Sequence, residues 1–91
     1  MSFNIEHNTS DHRFETRVDD HLCVLEYSLD SDVMTMTHTG VPAAVGGQGI
    51  ASELVRKALT TARSKGWKAI PACSYAARWM EKHHEFDNLR A

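Results

Sequence analysis

Between Val33 and Lys65 the hydrophobic period of the chain changes, and the change falls on a cluster of glycines. Val33 to Val41, "VMTMTHTGV", alternates as a half-buried strand does. From Gly49 to Lys65, Ile50, Leu54, Val55, Ala58, Leu59 and Ala62 recur at helical spacing, with Lys and Arg towards the end and Gly66 as a stop. The segment "VPAAVGGQGIAS" joins the two and carries three glycines in four positions, Gly46, Gly47 and Gly49. A strand, a tight turn and an amphipathic helix in this order point to an α/β architecture in which the helix packs back over a sheet.

The remaining elements fit the same plan. Phe3–Glu6 reads as a short first strand, and Arg13–Val18 and Leu22–Leu29 as two more, with turns at "DDH" and "DSD". "WKAIPAC" reads as a short buried strand ended by Pro71. Ser74 then caps a second helix, "YAARWMEKH", with Tyr75, Ala76, Trp79, Met80 and His83 along one face. The expectation is a mixed, mostly antiparallel sheet of about five strands with two main helices, in which a right-handed crossover returns the fifth strand parallel to the fourth. At 91 residues the chain, 1–91, reads as a single domain.

Composition narrows the function classes. Charged residues make up 24% and the formal net charge is -2, so nothing in the balance favours nucleic acid or an anionic membrane as a partner. The N-terminal residues lack a secretory pattern, and no window approaches the run of about twenty apolar residues that spans a bilayer. Cys23 and Cys73 are far apart and form no CxxC, which fits free thiols in the cytoplasm. His83 and His84 are adjacent and cannot face one metal from the same side of a helix, so no metal site is expected.

The glycine segment is the clearest chemical signal. The first N–H groups of a helix have no intrahelical partner, and the helix dipole adds positive potential, so a glycine turn entering a helix makes an anion cradle. It is not a GxxxxGK[ST] phosphate loop, because no lysine follows the last glycine, and it lacks the early parallel strand and downstream acid of a dinucleotide fingerprint. With the G-x-G-I-A run after a fourth strand, it resembles the acyl-CoA pyrophosphate loop of GNAT-type N-acetyltransferases, Q/R-x-x-G-x-G/A. "HTGVPAAVGGQGIASELVRKAL" followed by "IPACSYAARWMEKHHEF" is similar to the small single-domain GNAT-like family with H-T-E-V-P, R-G-x-G-I-A/G and P-x-C motifs.

That resemblance implies acetyl-CoA as co-substrate and a sheet that splays between its fourth and fifth strands. The pantetheine arm would lie in the gap near Thr39, Gly40 and Val41, beside Cys73. The pyrophosphate would lie on Gly47, Gln48, Gly49, Ile50, Ala51 and Ser52. The sequence departs from the pattern at three places: Gly46 stands where the family has Arg or Gln, Gly40 where the small family has Glu, and Met80 where a Tyr would protonate the leaving thiolate.

Two residues are left as catalytic candidates. Cys73, ahead of the last helix, would have its thiol pKa depressed by the helix N-terminus and could act as a nucleophile or pair with the thiol of CoA; the plainer role is a small core residue. His38 shares strand parity with Met34 and Met36, opposite Thr35, Thr37 and Thr39, and could act as a base near neutral pH or simply hydrogen-bond at a strand end. Cys23, Met34 and Met36 read as core. Two functions compete: acetyl transfer to an unidentified amine, and an acyl-CoA-binding or sensing module with little turnover. Only "HNTSDH" separates the first two strands, so the acceptor wall is left open or comes from a protein partner or a second copy.

Overall fold

The computed structural model describes residues 3–91. Strands β1 (Glu6–Asn8), β2 (Arg13–Val18), β3 (His21–Asp30) and β4 (Val33–Gly40) form an antiparallel meander. Helix α1 (Ile50–Lys65) crosses back, β5 (Lys68–Pro71) joins parallel to β4, and α2 (Ser74–Glu81) follows. The fold is the α/β arrangement expected from the change of period. No helix among the described residues is long and apolar enough to cross a membrane.

The meander is set by two tight hairpins. Val18 pairs with His21 and Asp30 with Val33, and the two residues inside each turn take positive φ: 48° and 65° at Asp19 and Asp20, and 48° and 65° at Ser31 and Asp32. Two positive φ values in succession match the twist of the flanking strands, and Asp tolerates them better than most residues with a Cβ. The first strand differs from expectation: pairing with β2 begins at Glu6 opposite Glu15, while Phe3 and Ile5 lie before it, half-buried against the core.

Alternation puts Phe14, Cys23, Leu25, Tyr27, Met34 and Met36 on one sheet face. Against them lie Leu54, Val55, Ala58, Leu59 and Ala62 of α1 and Ala76, Trp79 and Met80 of α2, all in one buried cluster. The opposite face, with Arg13, Glu15, Val24, Glu26 and Thr35, is half-exposed. Gly66 ends α1 at φ 75°, the left-handed conformation that lets Trp67 N–H reach back to the Ala62 carbonyl at 2.8 Å. Beyond α2, a 3-10 segment (His84–Leu89) buries Phe86 and Leu89 in the same cluster. Its short, irregular turn carries no periodicity from which sequence could place it.

Since Leu59 is buried in the middle of α1 and Leu29 is exposed on β3, truncating the two should have unequal effects. Leu59→Ala is expected to lower unfolding free energy by about 2–5 kcal/mol, and Leu29→Ala by less than about 0.5 kcal/mol, as measured by urea denaturation.

Candidate active site

The site begins where the fourth and fifth strands part. Parallel pairing between β4 and β5 runs from Val33 opposite Lys68 to Met36 opposite Pro71. At Pro71 the chain turns: Ala72 N–H bonds to the Ile70 carbonyl at 3.1 Å, closing a three-residue turn. Cys73 N–H then bonds to the Met36 carbonyl at 2.9 Å. Beyond it, Thr37–Gly40 keep β3 on one side and have no strand partner on the other among the described residues. Cys73 therefore lies at the apex of a wedge, with β4 as one wall and the start of α2 as the other.

A bulge decides which side chains enter that wedge. Tyr27 pairs with Met36 and Glu26 with His38, so Thr37 is an extra residue on β4, its hydroxyl donating to the Glu26 carbonyl at 3.2 Å. The extra residue reverses the alternation. Thr39, opposite buried Leu25, shares the core face with Met36, whereas His38, opposite Glu26, points to the open face. The expected grouping of His38 with Met34 and Met36 is thus corrected. His38 is exposed, and its imidazole folds along the strand so that a Cβ on Gly40 would lie 2.9 Å from Nε2. The ring occupies the space a side chain at position 40 would need.

Thr39 meets Cys73 instead. The Cys73 Sγ–H donates to Thr39 Oγ1 at 3.7 Å. Burial, the largest single effect, pushes the thiol up, but the amide of Ala76, the hydroxyl of Thr39 and the amides of Tyr75 and Thr39 together outweigh it. The net direction is down, towards the thiolate. Cys73, not Ser74, is the N-cap residue of α2, with extended backbone at φ -80° and ψ 135°. Its sulfur makes no full capping hydrogen bond, so the helix amides act on it as nearby dipoles. Cys23, by contrast, is fully buried and its thiol is pushed up by burial.

The glycine turn adjoins this wedge. After β4, Ala43–Val45 form one 3-10 turn, and Gly47 and Gly49 take φ 80° and 82°, which glycine adopts without strain. Gly49 is the N-cap of α1; its carbonyl accepts Glu53 N–H at 3.1 Å, leaving the amides of Ile50, Ala51 and Ser52 without an intrahelical partner. Gln48 is exposed, its amide donating to the Val45 carbonyl at 3.3 Å, and the Ile50 side chain is buried, so Ile50 presents only backbone outward. Ser52 Oγ accepts the Trp79 indole N–H at 2.8 Å, keeping its own proton to donate. This bond ties the first turn of α1 to α2. Sequence alone did not reveal it, although an aromatic residue at position 79 was the available signal.

A family model described as GCN5-related N-acetyl-transferase matches residues 13–89. The chain belongs to the GCN5-related N-acetyltransferase family. The solution NMR structure of a GCN5-like protein from Staphylococcus aureus superposes with a TM-score of 0.77 at 27% identity, covering 100% of this chain and 91% of that one. A comparison with curated proteins returns no match. Family and fold together make the protein an N-acetyltransferase. Within this GNAT fold Met80 is fully buried and supplies packing, while Tyr75 is half-buried and packs against the same core cluster.

Two measurements check the geometry. Alkylation of Cys73 by iodoacetamide, followed by mass spectrometry against pH, is expected to show a midpoint below the ordinary value of 9.0, and Thr39→Val should move it upward, because the thiolate then loses a donor. Gly49→Ala, which forces a Cβ into the left-handed region, should cost about 1–2 kcal/mol in urea denaturation.

Proposed function

We propose that the protein transfers the acetyl group of acetyl-CoA to an amine, with the pyrophosphate on the backbone of Gly47–Ser52 and the pantetheine arm beside Thr39, Gly40 and Val41. The observation that carries this reading is the wedge itself: a strand end without a partner on one side among the described residues, the Cys73 thiol at its apex against Thr39, and the first amides of α1 without intrahelical partners. The amides suit a diphosphate, and the unpaired β4 backbone suits an extended arm containing amide groups. Two free cysteines, one of them accessible, support a reducing compartment such as the cytoplasm.

In this reading Cys73 carries the chemistry, and His38, on the opposite face of β4, takes no direct part in it. The Cys73 thiolate adds to the thioester carbonyl, the carbon–sulfur bond to CoA breaks, and CoA leaves as a thiolate that takes a proton from water. The acceptor amine enters the wedge as the free base and forms the C–N bond, its proton passes to water, and Cys73 sulfur departs as thiolate. Donors at the wedge, the Thr39 amide among them, stabilise the oxyanion of both additions.

Titration with acetyl-CoA should perturb the amide resonances of Gly47–Ser52 and Thr39–Val41; no change at these amides would remove the cofactor assignment. Incubation with acetyl-CoA should add one acetyl group to the intact mass of the wild type and none to Cys73→Ala. In an amine-acceptor panel, an adduct-free wild type that still acetylates amines would replace the covalent route with direct transfer.

A further inference from the structure

At the edge of the sheet away from the wedge, an imidazole is packed among aromatic rings. His7, the middle residue of the three-residue strand β1, faces the core with its cross-strand partner Phe14, and the two rings stack at 4.2 Å and 12°. Trp67 closes the group at 6.3 Å and 83°. His7 Nε2 lies 2.6 Å from the hydroxyl of buried Tyr27, the one hydrogen bond of that hydroxyl among the described residues. A neutral imidazole with its proton on Nδ1 accepts the Tyr27 O–H, and the buried hydroxyl is satisfied. A protonated ring carries a hydrogen on Nε2 as well, which turns the Tyr27 proton away towards apolar neighbours. Burial also pushes the Tyr27 phenol up, so it stays a donor. The charged groups acting on the ring are all basic: Lys65 and Lys57 of α1, and His12 of the turn before β2, whose own ring stacks on Tyr27 at 5.4 Å. Burial first, and then these three, hold the His7 pKa below its ordinary value of 6.5.

Little else holds β1 in place. One of its three pairs with β2 sets Glu6 opposite Glu15, a like-charge pair, and on that open face Asn8 donates to Glu15 Oε1 at 3.0 Å. Just ahead of the strand, Phe3 and Ile5 are half-buried against the core and form one wall of an open cleft of about 350 Å³. Its other wall is the flank of α1 from Glu53 to Thr60. We propose that the His7–Tyr27 pair is a pH-sensitive latch: the neutral imidazole keeps β1 on the sheet, and protonation of His7 releases Phe3–Asn8 from β2 and from the flank of α1. Because the docked strand favours the neutral ring, the stability it contributes is whole above pH 6.5 and is lost as pH falls through the lowered folded value. The edge uncovered on release is that of β2, six residues long against the three of β1. The latch stands apart from the wedge and does not depend on the acetyl-CoA reading.

Amide exchange followed by NMR between about pH 7.5 and about pH 5.5, corrected for the intrinsic pH dependence of exchange, tests it together with the ring titration of His7. The His7 midpoint should lie below 6.5. Opening at β1 and at its partners Arg13–Glu15 should rise several-fold towards the lower pH, while the pairs between β3 and β4 keep their protection. His7→Gln can still accept the Tyr27 O–H but does not titrate, so its opening should be independent of pH; His12→Gln should open with pH as the wild type does. Tyr27→Phe, which keeps the ring in the core and removes only the hydroxyl, should open β1 more than the wild type at the higher pH. A His7 midpoint at or above 6.5, wild-type opening that does not change with pH, or a change that spreads equally to β3 and β4 would overturn the latch. So would the wild-type pH response persisting in His7→Gln, or wild-type opening in Tyr27→Phe.

Discussion

The hydrogen bond from Cys73 N–H to the Met36 carbonyl is where the molecule divides. Before it, β4 and β5 are zipped together; after it, the strand and α2 diverge and leave an opening in an otherwise packed layer. Pro71 sets its position, because the three-residue turn from Ile70 to Ala72 ends the strand and delivers the Cys73 amide to the last available carbonyl. The bulge at Thr37 matters for the same reason. By reversing the alternation one residue past the seam, it sends Thr39 to the sulfur and His38 to the opposite face.

The second organising contact is between helices. Trp79 is buried between α1 and α2, with Arg56 5.2 Å from its ring centroid and Ser52 on its indole nitrogen. A buried indole N–H needs a partner, and here the partner lies in the first turn of α1, so satisfying the core also fixes the cradle relative to the wedge. Arg56 in turn pairs with Glu85 at 3.5 Å, joining the 3-10 segment to the same assembly. The first turn of α1, α2 and the 3-10 segment are thereby tied together through two side chains, Trp79 and Arg56.

Elements governed by local chemistry were legible in the sequence. The α1 stripe, its Gly66 stop, the Asp19–Asp20 turn and the glycine entry to α1 follow from periodicity and backbone preference, and each stands where the residues indicate. What was not legible depends on partners distant in sequence. His38 changes face because β4 gains one residue relative to β3, which no pattern within β4 reports. Cys73 takes the cap position from Ser74 because the bond to Met36 fixes where α2 starts. The start of β1 at Glu6 depends on where β2 can pair, and the burial of Phe86 and Leu89 depends on a space that exists only once α1 and α2 have met.

The edges of the sheet give the wedge a further meaning. On the outer side of β5, Arg90 bridges Ala69 and the Ala91 amide bonds to its carbonyl at 3.1 Å, so the chain's own last residues occupy the position an incoming strand would take. At the other end β1 offers only a three-residue edge. Strand addition is thus discouraged at both margins and invited in the interior, where β4 outruns its neighbour. The molecule guards its sheet against other polypeptides at the margins and leaves backbone without a strand partner on one side, among the described residues, over Thr37–Gly40 in its interior.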